Sequence, residues 1–234
     1  MKKLIQELKQ RWAKYFLEVI AITLGILGAF YLENWNQERQ DNRIRHDYLK
    51  RLQADLSSDR NDLQEQLDLL DNRVRSVNEL MPNFNNIEAP RDTLLNLIYS
   101  LFYSEDFIEN DNTFQDLVSS GHLELLAQNI LKQRLHELYS LYKDLNSHED
   151  HIKEDNRLYI YNPAMYNFDH GKMTSSINSD ESGIILEKFL SNVTIKNGHA
   201  VYLSNSELLR EYYFSALSNL EELDSIIVAQ IKKY

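Results

Sequence analysis

Phe16 to Leu32 reads FLEVIAITLGILGAFYL, seventeen residues carrying one charge in a chain that is otherwise polar and acidic. A segment this apolar on every side has to be covered by something other than water. At about 1.5 Å per helical residue it reaches about 26 Å, near the lower limit for a hydrocarbon core of about 30 Å. The expected transmembrane helix therefore takes in its interfacial neighbours Tyr15, Tyr31 and Trp35 and occupies residues 15–35. A cleaved signal peptide shares the basic start and apolar middle. Here no A-x-A-like site follows the apolar run, which goes directly into Tyr31-Leu32-Glu33-Asn34-Trp35, so we expect a retained anchor.

Charge sets the expected orientation. Residues 1–14 form a short basic tail with Lys2, Lys3, Lys9, Arg11 and Lys14, which the positive-inside rule keeps in the cytoplasm and which puts the bulk of the chain in the periplasm. Arg39, Arg43, Arg45, Lys50 and Arg51 on the far side oppose this, interspersed with Glu38, Asp41 and Asp47. Beyond Trp35 the chain carries 20 basic and 33 acidic residues, a balance that argues against nucleic acid as a partner. The bilayer itself is the first partner expected. With no cysteine there is no disulfide framework, thiolate nucleophile or Cys-based metal site.

Six Gly and three Pro in 234 residues leave almost nothing to interrupt helices. The expected fold is all-α: one N-terminal transmembrane helix continuing into a long helix, with an extramembrane antiparallel helical bundle. No Gly or Pro lies between Ala29 and Pro82, and from Leu63 the apolar residues Leu67, Leu70, Val74, Val77 and Met81 follow heptad steps. One helix from about Lys3 to Met81, roughly 118 Å long, is predicted, of which 36–81 is a coiled-coil exit helix. Residues 82–234 form the remainder of the bundle. Pro82–Pro90 reads as a loop, followed by a helix from Arg91 through Phe102, a short one capped by Thr113 and stopped at Gly121, and a long one capped by Asn129 and ended by Pro163. Residues 162–182 read as loop and 183–191 as a short helix. Asn197-Gly198 reads as a tight turn, and Ser204-x-x-Glu207 as a capping box opening the last helix, the antiparallel partner of the first.

Within the span, 100° per residue gathers Glu18, Ala21, Gly25, Gly28 and Ala29 into one arc. Small residues four apart allow backbones to approach, and the carboxylate stays off lipid on the same face, so this face is expected to pack against a second copy or another membrane protein. Proton-driven stator subunits also combine one anchor with an intramembrane acid, but they place it deeper and carry a β-α-β outer domain that is not visible here. His148-Glu149-Asp150-His151 with Asp155 offers ligand types at helical spacing without H-E-x-x-H, and a charged run on a helix is most often a solvated face. Tyr139, Tyr142, Tyr212 and Tyr213 sit in core stripes; Tyr159, Tyr161, Tyr166 and Phe168 lie near a loop. No G-x-S-x-G, phosphate-loop or dinucleotide fingerprint occurs. No catalytic residue, metal or cofactor is expected.

Glu18, Gly25-Ile26-Leu27, Ala29, Asn34-Trp35-Asn36 and Glu38-Arg39 together resemble the anchor of a family of uncharacterised single-pass membrane proteins of Gram-negative bacteria. Its pattern is approximately E-I-x-L-x-x-x-G-I-L-x-A-x-x-x-x-N-W-N-x-x-R, with Val19 here in place of the opening Ile. Leu117 to Leu123, with Asn129 and the helix to Tyr139, is similar to that family's second segment. The resemblance implies an inner-membrane anchor and a helical outer domain, and brings no activity. We therefore expect a non-enzymatic inner-membrane protein with a periplasmic interaction or scaffold domain, in an oligomer or a larger membrane complex. The alternative is a ligand-sensing four-helix bundle of the chemoreceptor type, signalling through a partner.

Overall fold

The computed structural model describes residues 2–102, 106–126, 128–169, 171–172 and 180–233, the side chains of 2–11, 13 and 180–182 excepted. Lys2–Leu80 is one α-helix, α1, of 79 residues, about 118 Å long. With neither Gly nor Pro after Ala29, nothing in its sequence stops it before Pro82. A single turn of 3-10 helix, Met81–Asn83, ends the rod. There the Asn83 side chain donates to the Glu79 carbonyl and accepts from the Glu88 and Ala89 amides, closing the loop up to Pro90.

The remaining helices are α2 (Arg91–Ser100), α3 (Asn112–Ser119), α4 (Asn129–Asn156), α5 (Asn162–Tyr166), α6 (Asp180–Leu190) and α7 (Val193–Ile231). Among the described residues there is no strand, and the fold is all-α with a long N-terminal helix, as the periodicity predicts. The chain descends from the tip of α1 through α2 and segment 106–111 to α3, beside Arg51, and to the 3-10 turn His122–Leu125, beside Arg45 and Tyr48. It then climbs as α4 and comes back down as α7, which packs against both α1 and α4. Gln53 meeting Asp224 and Arg210 meeting Asp71 fix the antiparallel register of α1 and α7.

Two cores follow. The larger joins α1 from Tyr48 to Val77 with α4, α7, α3 and Phe107. The smaller caps the far end, with Leu80, Phe84, Leu94, Leu95, Ile98, Phe189 and Ile195. In α1 the buried positions 49, 52, 56, 59, 63, 66, 70, 77 and 80 keep heptad steps, with Tyr48 and Leu67 buried beside them. Leu49, Leu56, Leu63, Leu70 and Val77 make one line of that seam. The other line reads Leu52, Asp59, Gln66, Arg73, Leu80, apolar at its ends and polar between.

Several boundaries differ from expectation. Asn197-Gly198 is no turn, and Ser204-x-x-Glu207 opens no helix: α7 already runs through both from Val193, capped by Asn192, whose side chain accepts from the Thr194 and Ile195 amides at 3.0 and 3.2 Å. Gly198 serves packing instead. A Cβ there would stand 2.9 Å from both the Cβ and the carbonyl oxygen of Tyr159, so glycine lets α7 cross the segment after α4 at backbone distance. That segment, Arg157–Tyr161, is a single π turn that carries α4 into α5, so Pro163 falls in the first turn of a helix rather than ending one. Thr113 is buried inside α3, whose cap position is Asp111, and Gly121 stops the segment at φ 75° as its sequence predicts. The loop expected over 162–182 holds α5 and the start of α6; its residues 170 and 173–179 lie outside the described ones.

Candidate functional site

The face expected to pack in the membrane lies on the uncovered part of α1. Glu18, Ala21, Gly25, Gly28 and Ala29 are exposed, as are Tyr15, Tyr31 and Trp35, and no other element reaches this stretch. A Cβ added at Gly25 or Gly28 would meet nothing within 4 Å. From Lys14 onward the helix holds a window with mean hydropathy 1.9 of which none is buried, long and apolar enough to cross a membrane. The geometry brings the five residues to one side and, among the described residues, supplies no intramolecular partner.

Inside the bundle a second constellation forms, which the sequence did not single out. Segment 106–111 lies in the groove between α1 and α4, where a fourth helix would lie in a four-helix bundle, and two buried carboxylates hold it. Asp59 accepts from the Asn110 amide at 2.9 Å and from its side chain at 2.7 Å. Glu149 accepts from the Phe107 amide at 3.3 Å and from the Tyr213 hydroxyl. Tyr139 donates to the Asn110 carbonyl, Asn146 donates to Glu109, and the Phe107 ring packs edge-on against Tyr142 at 4.9 Å. A segment outside any helix cannot satisfy its own amides, so these side chains do what a helical ladder would otherwise do.

Burial decides the electrostatics here. Desolvation pushes the Glu149 carboxyl up to about 7, against the hydrogen bonds from Tyr213 and Phe107 that favour its charged form. Asp59 is pushed up by the same cause, opposed by Asn110. Desolvation also raises the Tyr139, Tyr142 and Tyr213 hydroxyls, so all three stay protonated. Beside Glu149, a cavity of about 30 Å³ is lined by Gln66, Arg73, Asp106, Lys153, Tyr202 and Tyr213. That is room for a water molecule or two, an order of magnitude below a small-molecule pocket. The arrangement fastens segment 106–111 to the bundle.

The His148–His151 run disperses over the helix. His148 meets the Tyr212 hydroxyl at 3.1 Å, Glu149 turns into the core, and His151 stands 3.9 Å from Asp155 at the surface. Among the described residues no three His, Asp or Glu side chains are grouped to hold a metal ion. Tyr139, Tyr142 and Tyr213 are core residues, whereas Tyr159, Tyr161 and Tyr166 are exposed around the π turn. One signal could have found the interior cluster: polar residues recurring every seven positions, Asp59, Gln66 and Arg73, on one line of an otherwise apolar seam.

With that geometry in place, comparison with known proteins adds one finding. A family of unknown function, DUF6090, matches residues 18–206, from Glu18 of the apolar segment to the first half of α7. No curated protein and no solved structure matches the chain.

Proposed function

The chain belongs to the DUF6090 family of unknown function, and from that premise we propose that it is a single-pass inner-membrane protein whose bundle is an interaction or scaffold module. The N-terminal tail is cytoplasmic and the bundle periplasmic. The protein is non-enzymatic: it holds an oligomer together, or serves as an accessory subunit of a larger membrane complex. The observation that carries this reading is the continuity of α1. One helix passes from an apolar segment with no intramolecular cover into the seam of a bundle, without a break at which the two could swing apart. A rigid rod fixes the height and rotation of whatever the bundle contacts relative to the membrane.

The face of Glu18, Ala21, Gly25, Gly28 and Ala29 makes the contact within the bilayer. Small side chains allow helix axes to approach, and Glu18 is shielded from lipid on the same side. The chemoreceptor-like alternative needs a ligand-sized site, and the cavity beside Glu149, of about 30 Å³, is too small to be that site. Because the chain has no cysteine, a single Cys at Gly25 reports cleanly. Disulfide crosslinking in native membranes is expected to give a dimer; a heterologous adduct instead assigns the face to another protein, and no adduct of either kind overturns the packing face. Protease added to spheroplasts should degrade the bundle, and a protected bundle would reverse the orientation.

A further inference from the structure

Four residues past Trp35, α1 begins a cationic stripe that leads toward the bundle. At 100° per residue Trp35, Arg39, Arg43, His46 and Lys50 fall within an arc of about 80°. The nearby acids Glu38, Asp41 and Asp47 lie about 80° or more from the centre of that arc. Arg39 and Arg43 are exposed, and the Arg39 guanidinium lies over the Trp35 ring, 5.8 Å from its centroid. Higher on the bundle Arg51, Arg60, Arg134, Arg157 and Arg210 each face a carboxylate, while Arg73 lines the cavity beside Glu149 and Arg75 meets Asn72. Among the described residues Arg39 and Arg43 have no carboxylate.

In a chain of net charge −11, cations left without carboxylates at one level call for an anionic partner at that level. That level is set by the anchor. With Trp35 at the interface, Arg39 and Arg43 stand about 6 and 12 Å above it along the helix, within side-chain reach of the headgroups. We propose that Arg39 and Arg43, beside Trp35, form a binding surface for the phosphates of anionic lipid headgroups. This rests on the anchor crossing the bilayer as proposed above. Guanidinium groups suit the partner, because each presents a planar fork of donors that matches a phosphate, and Arg39 can do so while stacked on the indole. The surface keeps the rod upright at its exit and selects the lipids around it.

The full chain carrying Trp12→Phe, which leaves Trp35 as the reporter, is reconstituted into phosphatidylcholine vesicles. The vesicles contain an equal minor fraction of either brominated phosphatidylglycerol or brominated phosphatidylcholine. Each basic group near an anionic surface contributes about fivefold in partition, so Trp35 should be quenched several-fold more by the brominated anionic lipid. Arg39→Gln with Arg43→Gln, both at exposed positions outside the two cores, should abolish the excess while helicity is unchanged. Equal quenching by the two lipids, or an excess that survives the double substitution, overturns the lipid surface and leaves the anchor standing. Quenching by neither lipid overturns the anchor and this inference together.

Discussion

The two halves of α1 share a backbone and differ in what surrounds them. From Tyr48 to Leu80 the helix buries one seam against α4, α7 and their connections and turns its charges outward. From Lys14 to Arg39 every side chain is exposed, Phe16, Leu24, Leu27 and Phe30 among them. An apolar stripe implies a neighbour on one side, and apolarity all round implies cover on every side, which the reading proposed above assigns to lipid. The angular distribution of apolar residues along one helix therefore says what covers it, more than their number does.

Truncating matched leucines in the two halves is the strongest way to break this contrast. Leu63 is fully buried, and Leu63→Ala leaves a cavity in the seam that should cost about 3–5 kcal/mol. Leu24 is exposed, and Leu24→Ala should leave the bundle's unfolding midpoint in mild detergent unchanged. Chemical denaturation of the full chain, followed by the near-ultraviolet signal of the core tyrosines, separates the two. Similar losses at both sites would mean that the inner half is also packed in a bundle.

Next in size is the effect of pH on the outer half. Unfolded, the Glu149 carboxyl titrates near 4.5, and in the bundle burial raises it to about 7. Its contribution is full below about 4.5, where both states hold the proton, and is lost as pH rises through about 7. The change approaches about 3 kcal/mol at most, and Tyr213 and Phe107 remain to solvate the charge. Glu149→Gln should flatten that slope and raise stability at pH 8. A slope that persists in the variant would move the effect to Asp59, which desolvation shifts in the same direction.

The contrast between the halves was largely legible in the sequence, because period and punctuation are local properties. The apolar run, the unbroken exit and the heptad leucines of the seam are each written within a few turns. The interior polar cluster was not, because it depends on segment 106–111 coming to lie beside Asp59 and Glu149, residues about 50 and 40 positions away. Local reading also misled at Asn197-Gly198. The dipeptide has the chemistry of a turn, and only the approach of Tyr159 reveals that the missing side chain is needed for packing.

Glycine offers a third pair of sites. At Gly198 a methyl group meets the Tyr159 Cβ and carbonyl oxygen at 2.9 Å and the Ile160 side chain at 3.0 Å, and a backbone oxygen cannot rotate away. Gly198→Ala should therefore cost about 1–3 kcal/mol, although alanine is the better helix former. Thermal unfolding would register the loss; no change would mean that α7 can shift off the π turn.

The smallest expected effect is the same substitution in the inner half. At Gly25 the added methyl meets nothing within 4 Å of this chain, and alanine gains helix propensity over glycine. Gly25→Ala should therefore move the bundle's midpoint by less than about 0.5 kcal/mol. Its consequence should appear only between molecules, because an extra methyl on a face of Ala21, Gly25 and Ala29 holds two helix axes further apart. Crosslinking through a Cys at Ala21 reads that distance, and its yield should fall in Gly25→Ala with the bundle's stability unchanged. A fall in stability together with an unchanged yield would reverse the assignment, making this face a contact within the chain and not between chains.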